Sequence, residues 1–218
     1  MKSFLSHVVH YILENNTNIS NLTLVLPSKR AGVFLKHELS QQIQKTSFAP
    51  NILSIEELVE EISGYTSVSN TELLFEFYTI YKELTPKDAQ EPFDSFSKWA
   101  QILLQDFNEI DRYLISHKDI FNYLSAIQRI QQWSPDKEPS DLMNNYLKFW
   151  DKLEHYYAAL TDRITQKGIA YQGLVYREAV DSLEFYLQKN EDKKHYFIGF
   201  NALNTAEEKI IQEFLEVG

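Results

Sequence analysis

The sequence predicts an α/β protein, mostly helical overall, in which a parallel sheet is interrupted by a large all-helical insertion. Three observations predict it. The apolar runs LTLVL and HYFIGF, near opposite ends of the chain, lack the alternation of a half-solvated strand and suit strands covered on both faces. Each run is followed by a helix-start signal. Between them, from about Thr71 to Gln188, apolar residues recur at helical spacing over long stretches with few strand signals.

Leu5, Val8, Val9, Ile12 and Leu13 predict a first helix that ends near Asn15, where the polar run ENNTNISN begins. Leu22 to Leu26 is the first strand, and Ser28 is placed to cap a helix carrying Val33, Phe34, Leu35 and Leu39 to about Gln44. A second short strand is predicted over Asn51 to Leu53. In Ser54-Ile-Glu-Glu57 the serine and the glutamate can satisfy each other's backbone donors, and Gly64 ends that helix.

In the middle, ELLFEFYTIYKEL is a helix stopped by Pro86. Pro92 stands at a first helical position, before a stripe of Phe96, Trp99, Leu103, Phe107 and Ile110. Ser116 can cap a third helix to about Trp133, SPDKEPS is a loop, and Ser140 opens a long helix to Gly168. AYQGLVYREAVDSLEFYLQ reads as one more. His195 to Phe200 is the last strand, with Thr205-Ala-Glu-Glu208 a second reciprocal cap. The expected organisation is 1–68 for the first part of the α/β domain, 69–190 for the insertion and 191–218 for the return.

Among 218 residues, 44% hydrophobic and 14% aromatic, there is enough apolar material for a substantial core. Thirty-one acids against 21 bases give a net charge of -10, which opposes generic adhesion to nucleic acid or anionic lipid. Any DNA contact needs a local patch. The absence of cysteine excludes disulfides, thiolate zinc sites and iron–sulfur clusters within the chain. No apolar run approaches the roughly 20 residues of a membrane span. MKSFLSHVVHYILENN reads as an amphipathic helix and not as a secretory signal, so a cytoplasmic location is expected.

A phosphate loop needs glycines before its lysine, yet no glycine precedes Gly32, which lies three residues past Lys29. No nucleotide cofactor is therefore expected. Ser28, Lys29 and Arg30 could bind an anion at a helix amino terminus, or be ordinary solvated residues at a strand-to-helix junction. Asp106, Glu109 and Asp111 read as a solvated helix face, because Asp111 points away from the other two and no histidine is in reach. The six histidines include one close pair, His7 and His10, and two ligands do not make a metal site. No G-x-S-x-G is present, and no catalytic residue is expected. The 13 Tyr, 14 Phe and 3 Trp could stack single-stranded bases, but their helical spacing favours packing between helices.

Four blocks carry a family resemblance: LTLVLPSKRAGVFLKHELS, FAPNILSIEELVEEISG, KWAQILLQDFNEIDRYL and YFIGFNALNTAEEKIIQEFL, with GIAYQGLVYREAV between the last two. In this order the chain resembles the amino-terminal region of AddB/RexB-like helicase–nuclease subunits, in particular the Bacteroidetes type described as an inactivated superfamily I helicase with a PD-(D/E)XK nuclease. The resemblance implies a superfamily I helicase-like sheet in which VLPSKRA occupies the DNA-touching position and residues 71–188 are the insertion. YFIGF matches the strand that reads I-D-G-F in relatives, with Ile198 at the position of the metal-binding aspartate. Without that acid and the glycine loop, the fold would not hydrolyse ATP. Glu207 and Glu208 lie too far past the strand to inherit the metal role. The resemblance also implies a longer parent protein, an exonuclease of double-strand break repair and recombination, with its nuclease residues downstream.

Two functions follow as expectations. In the first, this inactive motor region helps bind or position single-stranded DNA beside a partner helicase–nuclease subunit. Ser28, Lys29 and Arg30 would contact backbone phosphates, with Asn201 and Asn204 at the end of the other strand as further candidates. In the second, the acidic helices form a protein-interaction module that touches no DNA. A free-standing enzyme lacks a convergent acid, base and nucleophile.

Overall fold

The structure is a computed structural model that describes residues 3–43, 46–131 and 152–217, with the backbone alone for 125–131. In chain order the first elements are α1 (Phe4–Asn15), β1 (Leu22–Leu26), α2 (Lys29–Gln42), β2 (Asn51–Ser54) and α3 (Ile55–Ser63). Next come β3 (Thr66–Ser67), α4 (Asn70–Leu84), a 3-10 turn (Lys87–Ala89), α5 (Phe93–Arg112) and α6 (His117–Gln131). The last are α7 (Leu153–Thr165), β4 (Ile169–Ala170), α8 (Gln172–Asp181), α9 (Leu183–Lys189), β5 (Lys194–Phe197) and α10 (Thr205–Val217). The protein is mostly helical with a small parallel sheet, and it divides into two compact units, 1–64 with 178–218, and 65–177.

In the first unit β1 is buried at every position because it is the middle strand, with β2 and β5 parallel to it on either side. Thr23 is in register with both Asn51 and His195. Leu22, Leu24 and Leu26 face α1 and α2, where Val9, Ile12, Leu35 and Leu39 complete one core with Ile198. Gly32 brings α2 close to the sheet: a Cβ there would lie 3.3 Å from Ile52 Cγ2. The other face of β5 packs on α10, with the Phe214 ring 4.6 Å from His195 and 5.2 Å from Phe197. α9 joins this layer through Tyr186, whose hydroxyl donates to Glu61 at 3.1 Å. The result is three layers, as a continuous apolar central strand requires.

The second unit is a helical assembly of α4, α5, α6 and α7, closed by a short parallel pairing of β3 with β4. Phe77 is fully buried at its centre, against Phe96, Phe107 and Tyr156 at 5.3, 6.2 and 5.7 Å. Edge-on and tilted aromatic pairs of this kind each add about 0.5–1.5 kcal/mol beyond area burial. Glu76 ties α4 to α7, accepting from Arg163 Nε at 3.0 Å and from Lys167 Nζ. Lys167, then Arg163, hold its carboxyl below the usual range of about 4.5. The folded-state value being depressed, the stabilisation is complete above pH ~4.5 and is lost as pH falls through the lower folded value. Glu76→Gln is expected to flatten the acid limb of a stability-versus-pH curve measured by urea unfolding between pH 3 and 6.

Several boundaries differ from the sequence expectation. β5 covers Lys194–Phe197 and not His195 to Phe200, because Gly199 turns the chain with φ +78 after the Ile198 amide has bonded to Val25. The last helix is capped by Asn204 and Glu207 rather than Thr205 and Glu208, the phase that buries Ala206 and Ile210. Pro92 is the cap of α5 and not its first helical residue. AYQGLVYREAVDSLEFYLQ forms two helices, α8 and α9, with the break at Ser182. The two compact units part after Gly64 and Arg177, and α9 packs against α3 and α10 in the first of them. Trp133, SPDKEPS and Ser140 lie outside the described residues.

Candidate functional site

Because all three strands of the larger sheet are parallel, their carboxyl ends lie along one edge. From β1 the chain passes through α2 to β2 on one flank, while β5 occupies the other flank, so the strand order reverses between β1 and β5. Ligands of open parallel sheets gather at such reversals, outside the carboxyl ends. Ser28, Lys29 and Arg30 follow β1 at this edge, and Asn201 and Asn204 follow β5.

Ser28 caps α2, its Oγ accepting from the Ala31 amide at 3.3 Å. The amides of Lys29 and Arg30 precede the first intrahelical bond, Gly32 N to Ser28 O, and so belong to the helix's unbonded first turn. Lys29, 72% exposed, pairs with Glu57 Oε1 at 3.3 Å. Glu57 is itself part of a reciprocal cap: Oε2 accepts from Ser54 N at 2.8 Å and its own amide donates to Ser54 Oγ at 3.3 Å. The Ser54 amide, helped by Lys29, holds the Glu57 carboxyl below its usual range. Arg30 is exposed, has no ion pair among the described residues, and lies over the Phe34 ring at 5.8 Å to the centroid. Phe34 is itself 52% exposed. α2 carries Lys29, Arg30 and Lys36 against the single acid Glu38, a local positive excess in an acidic chain.

Asn201 is exposed, whereas Asn204 is 6% exposed. Asn204 Oδ1 accepts from the Glu207 amide at 2.9 Å and its own amide donates to Glu207 Oε2 at 3.0 Å. Asn204 thus serves as the buried cap of α10. Ile198 is 5% exposed and belongs to the core. Among the described residues no group of three or more His, Asp or Glu could hold a metal ion, and no helix is long and apolar enough to cross a membrane.

A second polar constellation, inside the helical unit, was not anticipated from sequence. Asp111, read as part of a solvated face, is fully buried in the last turn of α5. Its Oδ1 accepts from Tyr157 Oη at 2.5 Å and Arg177 Nε at 2.6 Å, and its Oδ2 accepts from Tyr171 Oη. Arg177 Nη2 also donates to the carbonyls of Ile110 and Ile115 at 3.1 and 2.6 Å. The cation thus sits at the negative end of α5, where the helix dipole favours it. Burial, reinforced by the neighbouring carboxylate, pushes both phenols up, so they remain protonated donors. A sealed carboxylate with this set of donors is a structural lock. One signal could have found it: Asp111 lies one helical turn past the buried Phe107.

No protein-family model matches the chain, and no curated protein sequence matches it.

Proposed function

We propose that this chain is a non-catalytic, motor-like region of a cytoplasmic DNA-repair helicase–nuclease that helps hold or position single-stranded DNA beside a partner subunit. The observation that carries this reading is the cationic start of α2 at the strand-order reversal of a parallel sheet, with exposed Arg30 beside exposed Phe34. A backbone phosphate would meet the first-turn amides and Arg30, and a base could lie against the aromatic ring. Ile198 in place of an acid supports positioning without ATP hydrolysis. Asn201 remains an exposed hydrogen-bonding group at the same edge.

The test is binding of a fluorescently labelled oligothymidine to the chain at low and moderate salt, with and without the paired changes Lys29→Glu and Arg30→Glu. Expected is an affinity that falls with salt and drops at least about tenfold in the double variant. Equal binding by both proteins at both salts overturns the site.

A further inference from the structure

A groove of about 900 Å³ opens on the helical unit, lined by β3, the first turns of α4, one face of α5 and the residues that start α8. Gln101, Gln105, Asp106 and Glu109 line it from α5, and Asn70 and Gln172 add two more amide-bearing side chains. Phe75, 55% exposed, and Phe93 also line it, stacked at 5.2 Å with planes 5° apart. Among the described lining residues there is no lysine, arginine or histidine.

Glu109 is already engaged, accepting from Asn108 Nδ2 at 3.2 Å and lying 3.9 Å from Arg112. Asp106 has neither a hydrogen bond nor an ion pair among the described residues, and desolvation raises its carboxyl above the usual range. Asp106 is exposed in the groove, so an opposite charge brought to it would find its carboxylate without a partner among the described residues. The amide side chains offer donors and acceptors together, as a peptide backbone does. The phenylalanine stack offers flat apolar area of the sort that anchors peptide side chains. Nucleic acid is disfavoured here, because its phosphates would face Asp106 and Glu109.

We propose that this groove binds an extended basic peptide segment of a partner protein, with a lysine or arginine set against Asp106 and an apolar side chain against the Phe75–Phe93 stack. All of the groove's lining residues lie within unit 65–177, and the proposal stands or falls without the DNA reading. The experiment is selection of a displayed library of random peptides on the whole chain, followed by anisotropy titration of the enriched peptides. Expected are sequences with lysine or arginine beside an aromatic or aliphatic residue, whose affinity falls at least about tenfold in Asp106→Lys. Glu216→Lys, the same change of charge at an exposed position in the other unit, is expected to leave the affinity unchanged. The proposal is overturned by no enrichment over a blank surface, by enriched peptides without basic residues, or by equal effects of the two substitutions.

Discussion

Asp111→Asn is expected to lower the stability of the helical unit by about 3–5 kcal/mol, the usual cost of leaving one member of a buried ion pair alone. The amide nearly matches the carboxylate in shape, so no cavity confuses the result. What changes is charge and donor count: Tyr157, Tyr171 and Arg177 all donate to Asp111, and the new amide would add donors to a site already full of them. Arg177, whose side chain is 20% exposed, would keep its charge beside the α5 carbonyls without its counter-charge. Urea unfolding followed by near-ultraviolet circular dichroism is expected to show the aromatic signal lost at lower denaturant. Tyr157→Phe removes only one donor to the carboxylate and should cost less, about 1.5–3 kcal/mol. Equal midpoints for Asp111→Asn and the parent chain would show that the lock is not needed.

Gly173→Ala is the second large effect, expected at about 3 kcal/mol, the upper part of the range for overfilled sites. A Cβ at Gly173 would lie 2.0 Å from the Asn108 carbonyl oxygen and 2.9 Å from its carbon, both backbone atoms of α5. The Gly173 amide meanwhile donates to Asn108 Oδ1 at 2.7 Å, so the segment cannot retreat without giving up that bond. Alanine is the better helix former, so the propensity change opposes the loss and cannot explain it. Gly168→Ala is the useful comparison: φ is +73 there but the space is open, so strain alone should cost about 1–2 kcal/mol. A smaller loss at Gly173 than at Gly168, by the same unfolding measurement, would contradict the close approach.

What could be read in the sequence is what local pattern determines. β1 declared itself because all five residues are apolar or β-branched and all are buried. The Ser54–Glu57 cap declared itself because both partners lie within one turn. At the last helix the sequence pattern places the reciprocal cap at Thr205 and Glu208, whereas the structure uses Asn204 and Glu207, the phase that buries Ala206 and Ile210. β3 and β4 have two residues each, too few to show any period. Asp111 stayed hidden because its donors lie 46, 60 and 66 residues away, in segments whose approach the spacing of α5 alone does not reveal. The candidate site divides in the same way. Ser28, Lys29 and Arg30 were visible as a strand-to-helix junction, but the Lys29–Glu57 pair exists only because β1 and β2 are neighbours and bring two helix starts together.

That pairing ranks the two cations: Lys29 is shared with Glu57, whereas Arg30 has no carboxylate partner among the described residues. The most direct measurement of the proposed role is therefore the slope of log affinity for an oligothymidine against log salt, for the parent chain, Lys29→Gln and Arg30→Gln. Each phosphate contact on a single strand contributes roughly -0.7 to that slope. Arg30→Gln should make it shallower by about that amount, with a smaller change for Lys29→Gln. A slope that neither substitution alters would contradict the placement of DNA at this edge of the sheet.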